Sequence, residues 1–258
     1  MLTQLIANLI VAHIVGDFYL QTERSCRNKV IEQYRGRDVY IHALIIGILS
    51  WVAVWSVDAW WLALAIMLIH FVIDCLKSFV ALKLDVSRIA DGNLTHGQNR
   101  RWNLALFVLD QVLHIGVIIG LSVLWLHAGR EWTQFEWLQQ LMLTHPLRVY
   151  TFIGLLIVLK PANILILNVL SLCKVTIQQS DSTDENFHAG ELIGWLERAL
   201  VLAFVVLSQW AAIGFLVAAK SILRFSEASS GREKSEYVLT GTLLSLSIAI
   251  FIGLVVVS

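Results

Sequence analysis

Polar positions in this 258-residue chain do not alternate with apolar ones; they gather between long apolar runs. Seven such runs extend from Leu2 to Leu20, Val39 to Val57, Trp60 to Leu82, Trp102 to Leu126, Tyr150 to Leu172, Leu192 to Ala219 and Val238 to Val257. Runs of about 18 residues or more are what a helix needs to cross the hydrocarbon of a bilayer, whereas a membrane barrel would show shorter, alternating stretches. The pattern predicts an all-α fold, a polytopic integral membrane helix bundle with six or seven transmembrane segments. No internal repeat is visible, and the longest polar stretches are loops of about twenty residues, too short for a soluble domain. Residues 1–130 are expected to form a four-helix membrane module, and residues 131–258 further helices of the same membrane domain.

Composition sharpens this picture. Hydrophobic residues make up 57% of the chain and charged ones 15%, and mean hydropathy is +0.72, a balance that places the protein in a membrane. Lys+Arg and Asp+Glu are equal at 19 each, so no net field recruits nucleic acid or an acidic partner. The first fifteen residues hold no Lys or Arg and no small-x-small cleavage pattern follows, so the first run is expected to stay in place as a helix. Cys26, Cys75 and Cys173 form no C-x-x-C motif and are read as reduced and structural. Trp51, Trp55, Trp60 and Trp61, near the outer ends of the second and third runs, suit an aromatic belt.

Loop charge predicts orientation, because Lys and Arg close to spanning segments are retained in the cytoplasm. The loop after the first run carries Arg24, Arg27, Lys29, Arg35 and Arg37; the loop after the third carries Lys83, Arg88, Arg100 and Arg101; the turn between the second and third carries none. Both basic loops are therefore expected inside a bacterial cytoplasmic (inner) membrane, with the N-terminus outside. Strict alternation over seven spans would put Arg224, Arg232 and Lys234 outside, against the rule. One segment is then expected not to cross. The candidate is the fifth, interrupted at Lys160-Pro161, as a re-entrant hairpin; a kinked but ordinary span is the alternative.

Imidazoles and carboxylates inside the first four runs form a pattern of their own. The first has His13 and Asp17, the second His42, the third His70 and Asp74, and the fourth Asp110 and His114. Three of the four carry His and Asp four residues apart, which stacks both on one helix face. Helix direction alternates, yet at about 1.5 Å per residue all these groups fall in the half of the bilayer nearest the basic loops. They are expected to converge on one polar cluster, with Gly16 letting a neighbouring helix approach closely. Imidazole and carboxylate suit a divalent transition metal, above all Zn. Four His and three Asp exceed the three protein ligands of one catalytic zinc, which suggests two ions, or one ion with carboxylates orienting the ligating rings. A proton or ion pathway and a structural hydrogen-bond network are the competing readings. Gln21 and Lys77 extend the same helix faces and would orient substrate or reach the interface. In the C-terminal half, Glu191, Glu197 and Arg198 open a long apolar stretch; Glu197 and Arg198 are adjacent, point in different directions and cannot simply pair.

The motifs HIVGDFYLQ, HFVIDCLK and DQVLH resemble those of the bacterial membrane-protein family catalogued as domain of unknown function 3307, over roughly the first 120 residues. KPAN, GELIGWLER, AAKSILRF and EYVLTGTLLS resemble the C-terminal part of its longer members. The resemblance implies an integral membrane protein and supplies no activity. A looser similarity, through the HxxxD spacing, is to membrane-bound metal-dependent hydrolases and all-helical zinc phospholipases, and implies metal-activated water attacking a phosphoester or similar group.

The expected function is a membrane-embedded metal-dependent hydrolase, with a lipid-linked substrate in view, and with His13, Asp17, His42, His70, Asp74, Asp110 and His114 as metal ligands or their supports. Asp17, Asp74 or Asp110 would serve as catalytic base where it is not itself a ligand. Membrane lipids and a small or lipid-linked substrate are the expected partners, nucleic acid is not, and an oligomer is left open. The alternative is a proton or divalent-metal transporter or channel using the same residues; haem ligation by two of the four histidines is a more distant third, disfavoured by the neighbouring aspartates.

Overall fold

Apolar periodicity and the breaks between runs produce helices throughout the computed structural model, which describes residues 2–84, 87–90, 93–96, 101–129, 146–172, 184–225 and 232–257. The chain divides into two compact units, residues 1–141 and 142–258. Among the described residues, six helical stretches are long and apolar enough to cross a membrane: Leu2–Leu20, Arg37–Val54, Trp60–Lys83, Trp102–His127, Val149–Leu170 and Glu236–Val257. The protein is a multi-pass, all-α membrane bundle. Cys173 and Arg100 lie outside the described residues.

In the first unit, α1 (Leu2–Ile14) runs on into a π-helical turn, Val15–Leu20. The amphiphilic α2 (Glu23–Glu32) follows, its first turn capped by the Thr22 hydroxyl, which accepts from Ser25 N at 3.2 Å. Next come α3 (Arg37–Val54), stopped by the left-handed Trp55, then α4 (Trp60–Lys83) and α5 (Arg101–His127). Between α4 and α5 a short antiparallel hairpin pairs β1 (Ser87–Ala90) with β2 (Asn93–His96). Packing closes a ring: α1 against α3, α3 against α4, α4 against α5 and α5 against α1, while α2 lies across α3 and α4. Gly16 permits the tightest approach, because a Cβ there would collide with Ile46 Cδ1 of α3.

One half of this four-helix ring is dry. Leu5, Leu9, Ile46, Val54, Leu62, Ile66, Ile118 and Trp125 form one buried cluster, with Trp61 against Trp125 at 4.9 Å between ring centroids. Two polar side chains there engage backbone carbonyls: Asn8 donates to Ala53 O, and Ser122 to Ile118 O, while the Trp125 indole N–H is buried without a hydrogen bond. Trp61 thus belongs to the core, while Trp51, Trp55 and Trp60 are exposed as a belt requires. The other half, adjoining α2, holds the polar residues.

In the second unit α6 (Pro146–Leu170), α7 (Asp184–Val206) and α9 (Arg232–Val257) pack pairwise, and α8 (Trp210–Phe225) packs on α7. Two expectations are corrected here. The fifth segment is not re-entrant: α6 is one continuous helix with Pro161 inside it and is long enough to span. The run from Leu192 to Ala219 is not one span, because α7 ends at Val206. Ser208 adopts a left-handed conformation (φ 56°), Ser208 N bonds Val205 O, and Gln209 N bonds Phe204 O. This paired closure is a Schellman turn built on serine instead of glycine. The chain then doubles back: Lys220 of α8 pairs with Glu197 of α7, residues at nearly equal distances either side of the turn.

Arg198 is the buried centre of this unit. Its guanidinium donates to Val158 O (2.6 Å), Leu159 O (3.2 Å), Asn163 Oδ1 (3.2 Å) and Ser245 Oγ (3.4 Å). Asn163 in turn donates to Glu191. Glu197 and Arg198 therefore serve different neighbours, as their adjacency in the sequence requires.

Candidate metal centre

Each wall of the first unit contributes to the polar half. His13 ends α1, and Asp17 lies one turn on, inside the π-helical segment; such wide turns are frequent where a helix aims a functional side chain. His42 projects from the first turns of α3, His70 and Asp74 from α4, and Asp110 and His114 from α5. His13, His42, His70, Asp74, Asp110 and His114 are all at least 94% buried. The imidazoles meet: ring centroids lie 4.1 Å apart for His70 and His114, 5.0 Å for His42 and His70, and 5.1 Å for His13 and His114. The seven residues expected to cluster do so, with Asp110 at the margin.

The tightest geometry belongs to Asp17, His42 and His70. His42 Nε2 stands 3.0 Å from His70 Nε2 and 3.2 Å from Asp17 Oδ1, and His70 Nε2 stands 3.5 Å from the same oxygen. These edges define a triangle whose centre lies about 1.9 Å from every corner, so an ion with bonds of about 2.0–2.1 Å would sit just out of its plane, as one face of a tetrahedron demands. Asp74 Oδ2 lies 3.6 and 3.7 Å from the two nitrogens. Asp17 Oδ1 is buried without a hydrogen bond.

Two lysines complete the electrostatics. Lys29 of α2 reaches Asp74 Oδ2 at 2.6 Å, and Lys77 of α4 reaches Asp110 Oδ2 at 2.7 Å. Lys77 is thus engaged with the cluster and not merely extended to the interface. Gln111 Nε2 also donates to Asp110 Oδ2, at 3.0 Å, which turns its Oε1 towards His13 Nε2 at 3.3 Å. An amide oxygen only accepts, so His13 Nε2 carries the hydrogen. With Asp74 and Asp110 each matched by an ammonium, Asp17 is left facing only imidazoles.

Sequence reading missed Lys29 and Gln111. Lys29 is a basic loop residue by every local criterion, and only the packing of α2 across α3 and α4 turns it inward. Gln111 carries a signal in hindsight, standing inside DQVLH between two members of the cluster. Gln21 ends the π-helical segment with its Nε2 buried and without a hydrogen bond.

Residues 5–143 match the family described as protein of unknown function DUF3307, more than half of the chain, and the protein belongs to that family. No curated protein and no solved structure matches.

Proposed function

We propose that this member of the family is a membrane-embedded metal-dependent hydrolase of the bacterial inner membrane, with Asp17, His42 and His70 holding one divalent transition ion, most simply Zn2+. The observation that carries the reading is the triangle of two ring nitrogens and a carboxylate oxygen, 3.0, 3.2 and 3.5 Å on its edges, with the buried oxygen making no hydrogen bond. An ion there lowers the pKa of a bound water and polarises the group it attacks. Asp74, beside both nitrogens, is the carboxylate best placed to take the proton, and Lys29 holds it in position. Asp110 and Lys77 fix the α4–α5 side of the site.

Access supports an enzyme over a transporter. A transport site must open to both sides, but one side of the cluster is closed by the dry core of Leu5, Leu9, Ile46, Leu62, Ile66, Ile118 and Trp125. The side towards α2 carries the lysines, where a lipid-linked substrate would approach from the membrane. Elemental analysis of gently purified protein should find about one transition ion per chain, absent from His42→Ala. A metal-free wild type would sink the proposal, and metal-dependent ion flux in liposomes would favour transport.

The turn at Ser208 supports one orientation. If α7 and α8 enter and leave the bilayer on one side, six segments cross, and Arg224, Arg232 and Lys234 fall on the same side as the two basic loops. The basic face is then cytoplasmic throughout, and so is the mouth of the site. A cysteine placed at Gln209 should resist a membrane-impermeant thiol reagent from either side of sealed vesicles; rapid labelling from outside would show that the hairpin crosses.

A further inference from the structure

We infer that the cluster takes a second metal ion, bridged to the first by Asp17 and held by His13 and His114. This rests on the first ion's site as read above. The two oxygens of Asp17 face different partners: Oδ1 points to His42 and His70, whereas Oδ2 lies 3.7 Å from His13 Nε2, which would pass its hydrogen to Nδ1 and release Gln111 on taking an ion. His13, Asp17 and His114 can each offer one donor atom, all within 4.8 Å of one another.

His114 shows most clearly that a ligand is wanted there. Its Nδ1 lies 2.8 Å from the Asp110 carbonyl, which can only accept, so Nδ1 carries the hydrogen and Nε2 a lone pair. That lone pair is buried and has no partner. A ring anchored through one nitrogen on a backbone carbonyl, with the other nitrogen free, is the arrangement ligating histidines adopt. Beside it lies a small cavity lined by His13, Ile66, His70, His114, Val117 and Ile118, with room for about one water-sized body.

Distance and charge say how the two ions differ. The donor atoms of an ion with bonds of about 2.0–2.1 Å stand roughly 3.3 Å apart. The first triangle already meets that spacing, while the second trio must close by rearranging, so the second ion binds more weakly. Three carboxylates against two ammoniums leave the cluster at one negative charge; one divalent ion with a bound hydroxide neutralises it. A second divalent ion adds two positive charges and is stabilised by an anion that brings two negative ones. The substrate class this favours is a phosphomonoester, bridging both ions through its oxygens.

Mn2+ binding to the detergent-solubilised full chain, with inorganic phosphate present, tests this. Wild type should bind two equivalents, the second at least 10-fold more weakly, and give the exchange-coupled paramagnetic resonance spectrum of a bridged pair. His114→Gln and His114→Ala should keep one equivalent with an uncoupled spectrum, and that retained ion itself reports a folded site. A single uncoupled equivalent in wild type at saturating Mn2+ and phosphate overturns the second site and leaves the first standing. No bound Mn2+ in wild type overturns both.

Discussion

The two units bury charge in opposite ways. In the first, carboxylates and imidazoles outnumber the donors available to them, and Asp17 Oδ1, Asp110 Oδ1 and His114 Nε2 are buried without hydrogen bonds. In the second, Arg198 is equally buried and forms no ion pair among the described residues, yet its guanidinium reaches four acceptors. Unpaired polar atoms in a low-dielectric interior cost free energy on the order of 1–3 kcal/mol each, so they persist where some other group completes them. A donor whose valences are filled by neighbouring helices is a fastening. A charged residue inside a membrane segment therefore does not mark a site by itself; lone pairs left over and converging on one point do.

Removing the converging lone pairs should give the largest effect. Asp17→Ala is expected to abolish retention of a transition ion through purification, whereas Arg198→Ala should leave ion content unchanged, both read by elemental analysis normalised to folded protein. Equal loss of metal in the two variants would erase the distinction between site and fastening. The second effect is on stability: Arg198→Ala should cost about 2–4 kcal/mol in denaturation of the second unit, because carbonyls, an amide and a hydroxyl lose their donor at once and a cavity is left. Arg198→Met, which refills the volume without a charge, should recover part of that.

A smaller cost is expected where α1 meets α3. Gly16→Ala forces a methyl group onto Ile46 and should destabilise the first unit by about 1–3 kcal/mol. Ile46→Val in the same chain should relieve it, a coupling visible in a double-mutant cycle by thermal unfolding, while Arg198 variants add independently. The smallest change belongs to the pair that closes the helical hairpin. Glu197 and Lys220 are about one-fifth exposed, so Glu197→Gln should shift stability by no more than about 1 kcal/mol and leave metal content untouched. A loss as large as that of Arg198→Ala would make the pair, and not the guanidinium, the fastening of the second unit.

Much of this was legible along the chain. Hydropathy over windows of a span's length located the six described helices long and apolar enough to cross a membrane, because the cost of placing backbone and polar groups in hydrocarbon depends on local composition. Spacing of four residues put His13 with Asp17, His70 with Asp74 and Asp110 with His114 on common faces, and depth along each run placed them in one half of the bundle. The same averaging hid the break at Ser208. Leu207, Ser208, Gln209 and Trp210 contain neither proline nor glycine, and one glutamine among apolar neighbours barely moves a window; only backbone geometry reveals the left-handed serine.

What tertiary structure alone decided is which atoms face which. Helical periodicity assigns a residue to a face but not to a partner, and hydrogen bonds and metal bonds are set by tenths of an ångström between chain segments far apart. The ring order α1–α3–α4–α5 brought His42 and His70 to 3.0 Å and turned Asp17 Oδ1 towards both. The crossing of α2 carried Lys29 inward to Asp74, and the Val158 and Leu159 carbonyls of α6 received Arg198. Sequence determined the number and placement of the apolar helices and which polar residues had to be hidden from lipid, since both follow from local chemistry. Packing determined which of those residues were left with lone pairs to offer an ion, since that depends on every neighbour that reaches them.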